Sequence, residues 1–173
     1  MSILSIKPLC RIAAASALAL ATLGGASAAD NTTANATATI IAPIAIAKVS
    51  DLLFGNVIAG SGGTIAVNAS DAVTLSGVTV PSSQAGTRAA AVFTVTGEGS
   101  YTYAITLPST DQTITHTNAT DTMLVNTFVS NPSGTGALSS GTQTLKVGAT
   151  LNVGSAQVAG LYSGAFTVTV AYN

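Results

Sequence analysis

The most informative stretch of this sequence is GLYSGAFTVTVAYN, residues 160–173. Large apolar side chains occupy every second position from Phe166 to Tyr172, and small or polar side chains lie between them. Because side chains alternate between the two faces of a β-strand, the stretch predicts a strand with one apolar face. The apolar positions are Phe166, Val168, Val170 and Tyr172.

The same alternation recurs along the chain in short runs of Thr, Val, Ile, Tyr and Phe. Gly, Asn, Asp, Ser and Pro separate the runs, and this pattern is typical of an all-β sandwich or barrel. We expect one hairpin between residues 64–68 and 72–75, and another between residues 90–96 and 101–107 that turns at Gly97-Glu98-Gly99. Further strands are predicted over residues 37–46, 52–58, 113–116, 122–129, 145–153 and 164–172, and a loop over residues 131–141.

Composition excludes several classes of protein. Only 6% of the 173 residues are charged, and five basic against six acidic residues give a formal net charge of -1. A nucleic-acid-binding surface needs clustered Lys and Arg, and a coiled coil needs charged helical heptads. The sequence contains neither pattern, so we expect a neutral surface whose polarity comes from Thr, Ser, Asn and Gly, and no nucleic-acid partner.

The N-terminal residues 1–29 are predicted to be a secretory signal peptide. Lys7 and Arg11 supply a basic start, an apolar run rich in Ala and Leu follows, and residues 26–28 (Ala-Ser-Ala) form a small-residue cleavage site. Cleavage would leave three cations and six carboxylates, a net charge of -3, and would remove Cys10, the one cysteine. We therefore expect an exported mature chain without disulfides. No later apolar run is long enough to predict a membrane span.

The C-terminal stretch resembles the last strand of chaperone–usher pilins. Those subunits typically carry a glycine fourteenth from the end and a penultimate tyrosine, which correspond here to Gly160 and Tyr172. The whole pattern is also similar to a bacterial domain-of-unknown-function family of small secreted, pilin-like proteins, and more loosely to the spore coat protein U domain. The other matching pieces are residues 44–55, which end in Leu53-Phe54-Gly55, residues 93–97 and residues 145–151.

This resemblance implies an all-β, immunoglobulin-like (pilin-like) β-sandwich that lacks its final strand, and a structural subunit of a bacterial surface pilus or fimbria. A periplasmic chaperone would cover the subunit first, and the contacting strand would include Gly160, Phe166, Val168, Val170 and Tyr172. At an outer-membrane usher, the N-terminal extension of another copy or a related subunit would then replace the chaperone by donor-strand exchange. The expected location is the cell surface, after a transient stay in the periplasm. Many such pilins have an intradomain disulfide, which this mature chain lacks.

The resemblance divides the mature chain into an N-terminal extension, residues 30–46, and a sandwich domain, residues 47–173. A donor strand should be extended, alternating and close to the mature N-terminus. We favour residues 37–46 as the donor, because the side chains before Ile40 are small and would bury little area. The predicted anchors are Ile40, Ile41, Ile44 and Ile46.

An alternative interpretation of the same segment stays open. Residues 40–46 could instead form the first strand of this domain, and residues 30–39 would then be an unpaired tail. Pro43 interrupts the run, and because proline donates no hydrogen bond to a ladder, it marks an edge or a bulge under either interpretation.

Catalysis and metal binding find little support in the sequence. His116 is the one histidine, and a Ser-His-Asp set with Asp111 or Asp121 is conceivable, but the Gly-x-Ser-x-Gly motif is missing. One histidine, no cysteine in the mature chain and dispersed carboxylates do not make a zinc or calcium site. We therefore expect no enzyme activity, no metal and no cofactor.

The main alternative function is a self-contained secreted or surface domain that binds a glycan or a protein and does not polymerise. Tyr101 and Tyr103 are expected on one strand face, where two aromatic rings could form a sugar-binding platform. The competing explanation, which we prefer, is that they pack in the core beside Phe93.

Overall fold

A computed structural model describes residues 29–173 of the chain. The predicted signal peptide, apart from Ala29, lies outside the described residues. Residues 29–43 are exposed and form no strand. Over the described range, no helix has the length and hydropathy needed to cross a membrane.

Eleven β-strands and no helix occur within residues 29–173, which confirms the predicted all-β class. The strands are β1 (Ala45–Ser50), β2 (Gly63–Val67), β3 (Val73–Ser76), β4 (Ala91–Thr96), β5 (Thr102–Thr106), β6 (Gln112–His116), β7 (Thr122–Asn131), β8 (Thr135–Ala137), β9 (Thr142–Val153), β10 (Tyr162–Ser163) and β11 (Thr169–Tyr172).

Eight strands form an antiparallel sheet with β9 at its centre. β7 pairs with one edge of β9, while β4 and β2 pair with successive halves of the other edge. β1 extends the sheet beyond β4, β3 extends it beyond β2, and β6 and β10 extend it beyond β7. Every second side chain of β9 from Leu145 to Val153 is buried. The predicted hairpin of residues 64–68 with residues 72–75 is confirmed by the pairing of β2 with β3.

A second sheet contains β11, β5 and β8 in that order. The predicted hairpin of residues 90–96 with residues 101–107 is wrong, because the chain crosses from the large sheet to the small one between β4 and β5. Val95 and Tyr103 nevertheless belong to one core cluster. An alternating strand has the same pattern whether its chain neighbour pairs beside it or packs across the core, so periodicity could not distinguish the two arrangements.

Two clusters of buried side chains hold the sandwich together, and Leu52 and Phe128 pack against both. The first cluster joins β2, β7 and the second half of β9. The second joins β4, the first half of β9 and the small sheet, and it includes Tyr103, whose buried hydroxyl donates to Gln143 Oε1 at 2.7 Å. Burial raises the pKa of Tyr103. The buried members are Ile65, Val78, Val125, Ala149, Leu151 and Val153 in the first cluster, and Ala91, Val95, Tyr103, Leu138, Leu145 and Val147 in the second.

The N-terminal isoleucines separate into two groups. Ile44 and Ile46 pack against the second cluster, and Ile46 lies in β1 opposite Val95 of β4. Ile40 is 96% exposed and Ile41 is 37% exposed. The predicted donor segment, residues 37–46, therefore includes two side chains, Ile44 and Ile46, that already fill the core of their own domain. Residues 30–43 remain as the candidate donor, because Ile44 and Ile46 pack in the sandwich core.

Replacement of Ile46 by alanine should destabilise the domain itself. We expect a loss of about 2 kcal/mol, the lower end of the range for Ile→Ala, because the side chain is half-buried. The matched control, Ile40→Ala, should change the free energy of unfolding by less than about 0.5 kcal/mol, because Ile40 is 96% exposed. Urea unfolding of both variants measures the difference, and equal losses would contradict the division of the isoleucines.

Asp71 ties the β2–β3 turn to the rest of the large sheet. Its Oδ2 accepts a hydrogen bond from Lys146 Nζ at 2.6 Å, and its Oδ1 accepts one from the backbone N–H of Ala90 at 2.8 Å. The bond from Lys146, followed by that from Ala90, lowers the pKa of the Asp71 carboxyl below its ordinary 3.8. The carboxylate is therefore the form that stabilises the fold.

The stabilisation from Asp71 should depend on pH. Because the folded-state pKa is the lower one, the stabilisation is fully present well above pH 3.8 and is lost as the pH falls through the folded-state value. Asp71→Asn should thus lower the melting temperature by a constant amount near neutral pH, and the difference from the unmodified chain should close in acid. Melting curves from pH 7 to 2.5 test this, with Asp111→Asn as a control.

Candidate functional site

His116 and Asp121, two residues of the conceivable Ser-His-Asp set, each have other hydrogen-bond partners in the structure. Within residues 29–173, no three His, Cys, Asp or Glu side chains lie close enough to hold a metal ion. The ring nitrogens of His116 contact backbone: Nδ1 accepts from the N–H of Asn118 at 3.0 Å, and Nε2 therefore donates to the carbonyl of Ala159 at 3.2 Å. The Asp121 carboxylate is bonded to the Asn118 amide at 2.6 Å instead of to the imidazole.

The prominent feature of the surface is an open apolar groove with a volume of about 1060 Å³. We define its first rim as residues 51–59, which follow β1, and its second rim as residues 157–166, which contain β10. The floor comes from strands of the large sheet. Its apolar side chains are Ala91, Phe93, Ile114, Met123, Val125, Phe128, Leu151 and Val153.

The first rim is hydrogen-bonded on one edge only. The N–H of Leu53 donates to Ala89 O at 2.9 Å and that of Ile58 to Thr79 O at 2.8 Å, both away from the groove lining. The backbone groups of Leu52, Phe54 and Val57 make no hydrogen bond to residues 29–173. Gly55, with a φ of +70°, interrupts the extended course of this rim between Phe54 and Val57, and the backbone groups of Leu52, Phe54 and Val57 stay free on both sides of it.

The second rim has a corresponding free edge. Tyr162 and Ser163 pair with β6 on one side, and the carbonyl of Leu161 accepts from the N–H of Thr117 at 3.1 Å. Residues 165–168 make no backbone hydrogen bond in the described part of the chain. The groove therefore has an apolar floor between two segments that can each pair with one further strand.

The C-terminal segment changes sheets along its length. Phe166 lines the groove, where its ring lies 5.0 Å from that of Phe128 and 6.4 Å from that of Phe93. After it, β11 pairs with β5 in the small sheet. Of the residues predicted for the contacting strand, Gly160 and Phe166 thus line the groove. Val168, Val170 and Tyr172 pack inside their own domain, against the second cluster.

Gly160 lies directly over the ring of His116. Its φ is +150°, and a Cβ at this position would overlap His116 Nε2. The ring of Tyr162 packs on the imidazole at a centroid distance of 4.9 Å, so the histidine holds the second rim against the β6–β7 turn. A glycine at position 160 is therefore required by a close approach of the backbone to a side chain.

Gly160→Ala should destabilise the protein by about 2–3 kcal/mol, from the unfavourable φ and the overlap with the imidazole. His116→Ala removes the overlap, so the double variant should be more stable than the sum of the two single losses predicts. Gly99→Ala is the matched control, because Gly99 has a φ of +42° and no atom within 4 Å of the added Cβ. A double-mutant cycle from urea unfolding measures the coupling, and strictly additive losses would exclude the contact.

The groove contains little charge. Lys48 and Asp51 are the charged residues of its lining, and they neutralise each other through a 2.6 Å ion pair. The candidate donor segment, residues 30–43, carries a single charge at Asp30. The groove therefore suits an uncharged, extended apolar segment.

The structure does not bring Tyr101 and Tyr103 together on the surface, as the alternative of a sugar-binding platform would require. Tyr103 is fully buried, whereas Tyr101 is 46% exposed and precedes β5. The ring of Tyr101 packs instead on that of Tyr172 at a centroid distance of 5.7 Å. Core packing, the explanation we preferred, holds for Tyr103.

Sequence reasoning did not assign a functional role to the first rim or to the floor. The alternation of Leu52 and Phe54 predicted an extended segment there, and that pattern was the available signal. Which edge of this segment stays free, however, depends on pairing with distant strands, and a local sequence pattern does not specify that pairing.

The chain belongs to a recognised protein family. Residues 44–172 match the family model described as Domain of unknown function (DUF4402). The match begins at Ile44, directly after Pro43, and so covers the sandwich without the N-terminal extension. No curated protein and no solved structure matches the chain.

Proposed function

We propose that this protein is a structural subunit of a bacterial surface pilus or fimbria, assembled by donor-strand exchange. The observation that carries the proposal is the groove, whose apolar floor lies between two segments with free backbone groups. An occupant that is itself a β-strand would satisfy both edges and cover the floor. Strand addition of this kind combines backbone hydrogen bonds with burial of alternate side chains.

The occupant that we propose is the N-terminal extension, residues 30–43, of a second copy. Ala34, Ala36, Ala38 and Ile40 would share one face of an extended segment, and because the three alanines are small, Ile40 is the main anchor of this face. The 96% exposure of Ile40 leaves a large apolar side chain in water within one molecule. Burial of that side chain in a neighbouring groove would contribute about 1.5–3 kcal/mol.

A second copy fits better than the chain's own extension. The first rim begins at Asp51, directly after the last residue of β1, whereas Pro43 precedes the first residue of β1. Six residues of β-strand span about 20 Å, so the extension would have to fold back along β1 to reach its own groove. Insertion into another copy needs no reversal, and because this head-to-tail contact does not close, it would propagate into a fibre.

The partners follow from the exposed groove. Unpaired strand edges beside an apolar surface promote aggregation, so a newly exported subunit would need a periplasmic chaperone. An outer-membrane usher would then exchange the chaperone for the next subunit, and the fibre would lie at the cell surface. The predicted signal peptide and the sparse charge of the chain support this route.

The proposal predicts opposite behaviour for two adjacent substitutions. Ile40→Asp places a charge on the apolar face of the donor and should abolish the polymer. Thr39→Asp places the same charge on the other face and should leave polymers intact. The measurement is a denaturing gel of sheared surface material, unboiled and boiled, on which strand-exchanged polymers form a ladder that collapses on boiling.

Three results would contradict the proposal. A single monomer band in the unmodified strain would favour the self-contained binding domain. A ladder that survives Ile40→Asp would exclude Ile40 as an anchor. If both variants lose the ladder equally, and thermal melting shows both variant domains to be folded, the face that contains Ile40 is not the face that enters the groove.

A further inference from the structure

The N-terminal extension is held at its root, Ala42, by two side chains from distant parts of the chain. The N–H of Ala42 donates to Glu98 Oε2 at 3.0 Å, and its carbonyl accepts from the Tyr172 hydroxyl at 2.9 Å. Both backbone groups of one exposed residue are thus satisfied by side chains, although no strand pairs there, since β1 begins only at Ala45.

The Tyr172 hydroxyl closes this arrangement into a ring of hydrogen bonds. Besides donating to Ala42, it accepts from the backbone N–H of Glu98 at 2.6 Å. A Cβ at Gly97 would overlap the same hydroxyl, so a glycine is required at that position for the hydroxyl to reach its partners. We call Glu98 and Tyr172 the root clamp.

The sequence around Ala42 adds stiffness to the contact. Pro43 has a fixed φ, and the residue before a proline is biased towards an extended conformation. Proline also lacks an N–H, so no ladder bond from position 43 can orient the chain there. The root clamp supplies the orientation that backbone pairing does not.

We propose that the root clamp sets the direction in which the extension leaves the domain, and so positions it for insertion into the groove of the next copy. Glu98 and Tyr172 are positioning residues under this proposal, which rests on the proposed function. The clamp also links the two ends of the subunit, because Tyr172 belongs to the same C-terminal segment as Phe166 of the groove.

The test uses the mature chain with Tyr172→Phe, which removes only the hydroxyl, and Glu98→Ala, which removes the carboxylate. Glu98→Gln keeps an acceptor oxygen, so its amide exchange at Ala42 and its rate of ladder formation should be close to those of the unmodified chain. Tyr101→Phe is the matched control, because the hydroxyl of Tyr101 makes no hydrogen bond within residues 29–173. Three quantities are compared: amide exchange at Ala42, the rate at which the ladder forms, and binding of a synthetic peptide of residues 30–43.

We expect amide exchange at Ala42 to rise roughly tenfold in Tyr172→Phe and Glu98→Ala, as loss of a hydrogen bond to a charged or well-ordered group implies. Ladder formation should slow by about threefold to tenfold. Peptide binding should not change, because neither residue lines the groove. The Tyr101→Phe variant should match the unmodified chain in all three.

The outcomes separate failure of the clamp from failure of the proposed function. Faster exchange at Ala42 with an unchanged rate of ladder formation would overturn the clamp, which would then only stabilise the end of β1. An unmodified chain that neither binds the peptide nor forms a ladder would overturn the proposed function itself. If Tyr172→Phe also accelerates amide exchange at the buried Val95, that variant is partly unfolded. The test of the clamp then rests on Glu98→Ala and on whether Glu98→Gln restores the rate of ladder formation.

Discussion

An apolar floor between two half-paired segments is the constraint on which the arrangement of this sandwich depends. A buried backbone group without a partner costs free energy comparable to a lost hydrogen bond, and an exposed apolar floor forgoes the gain from burial. Along this groove, the free backbone groups of the rims at residues 51–59 and 157–166 are open to water and lack protein partners within residues 29–173, and Phe93, Ile114, Met123 and Phe128 of the floor are only half-buried. One strand from outside the domain would pair with both rims and cover the floor, and this is the basis of the proposed match between the groove and the extension.

The C-terminal segment connects the features that surround the groove. It begins at Gly160, where the chain passes over His116, continues through Phe166 at the groove, and ends in β11 of the small sheet. Within this short distance it therefore contributes to a rim, to the second core cluster and, through Tyr172, to the root of the extension. Its alternation is compatible with both sheets because the inner face remains apolar throughout.

Particular elements show how far sequence reasoning reaches. The alternation from Phe166 to Tyr172 correctly placed four side chains on one inward face, and the pair β2–β3 followed from turn residues between two short runs. The hairpin of β4 with β5 failed, because Val95 and Tyr103 meet across the core instead of lying side by side. Core packing, which the sequence favoured over a tyrosine platform, is confirmed for Tyr103.

By itself, the sequence determined the all-β class, the inward face of most strands and the exceptional C-terminal pattern, because these depend on local alternation with a period of two residues. Only the tertiary structure decided which strands are neighbours, where Ile44 and Ile46 pack, and which edges stay free. Pairing partners are set by contacts between residues far apart in the chain. The groove in particular lies between segments with free edges, and local alternation does not record which edges stay unpaired.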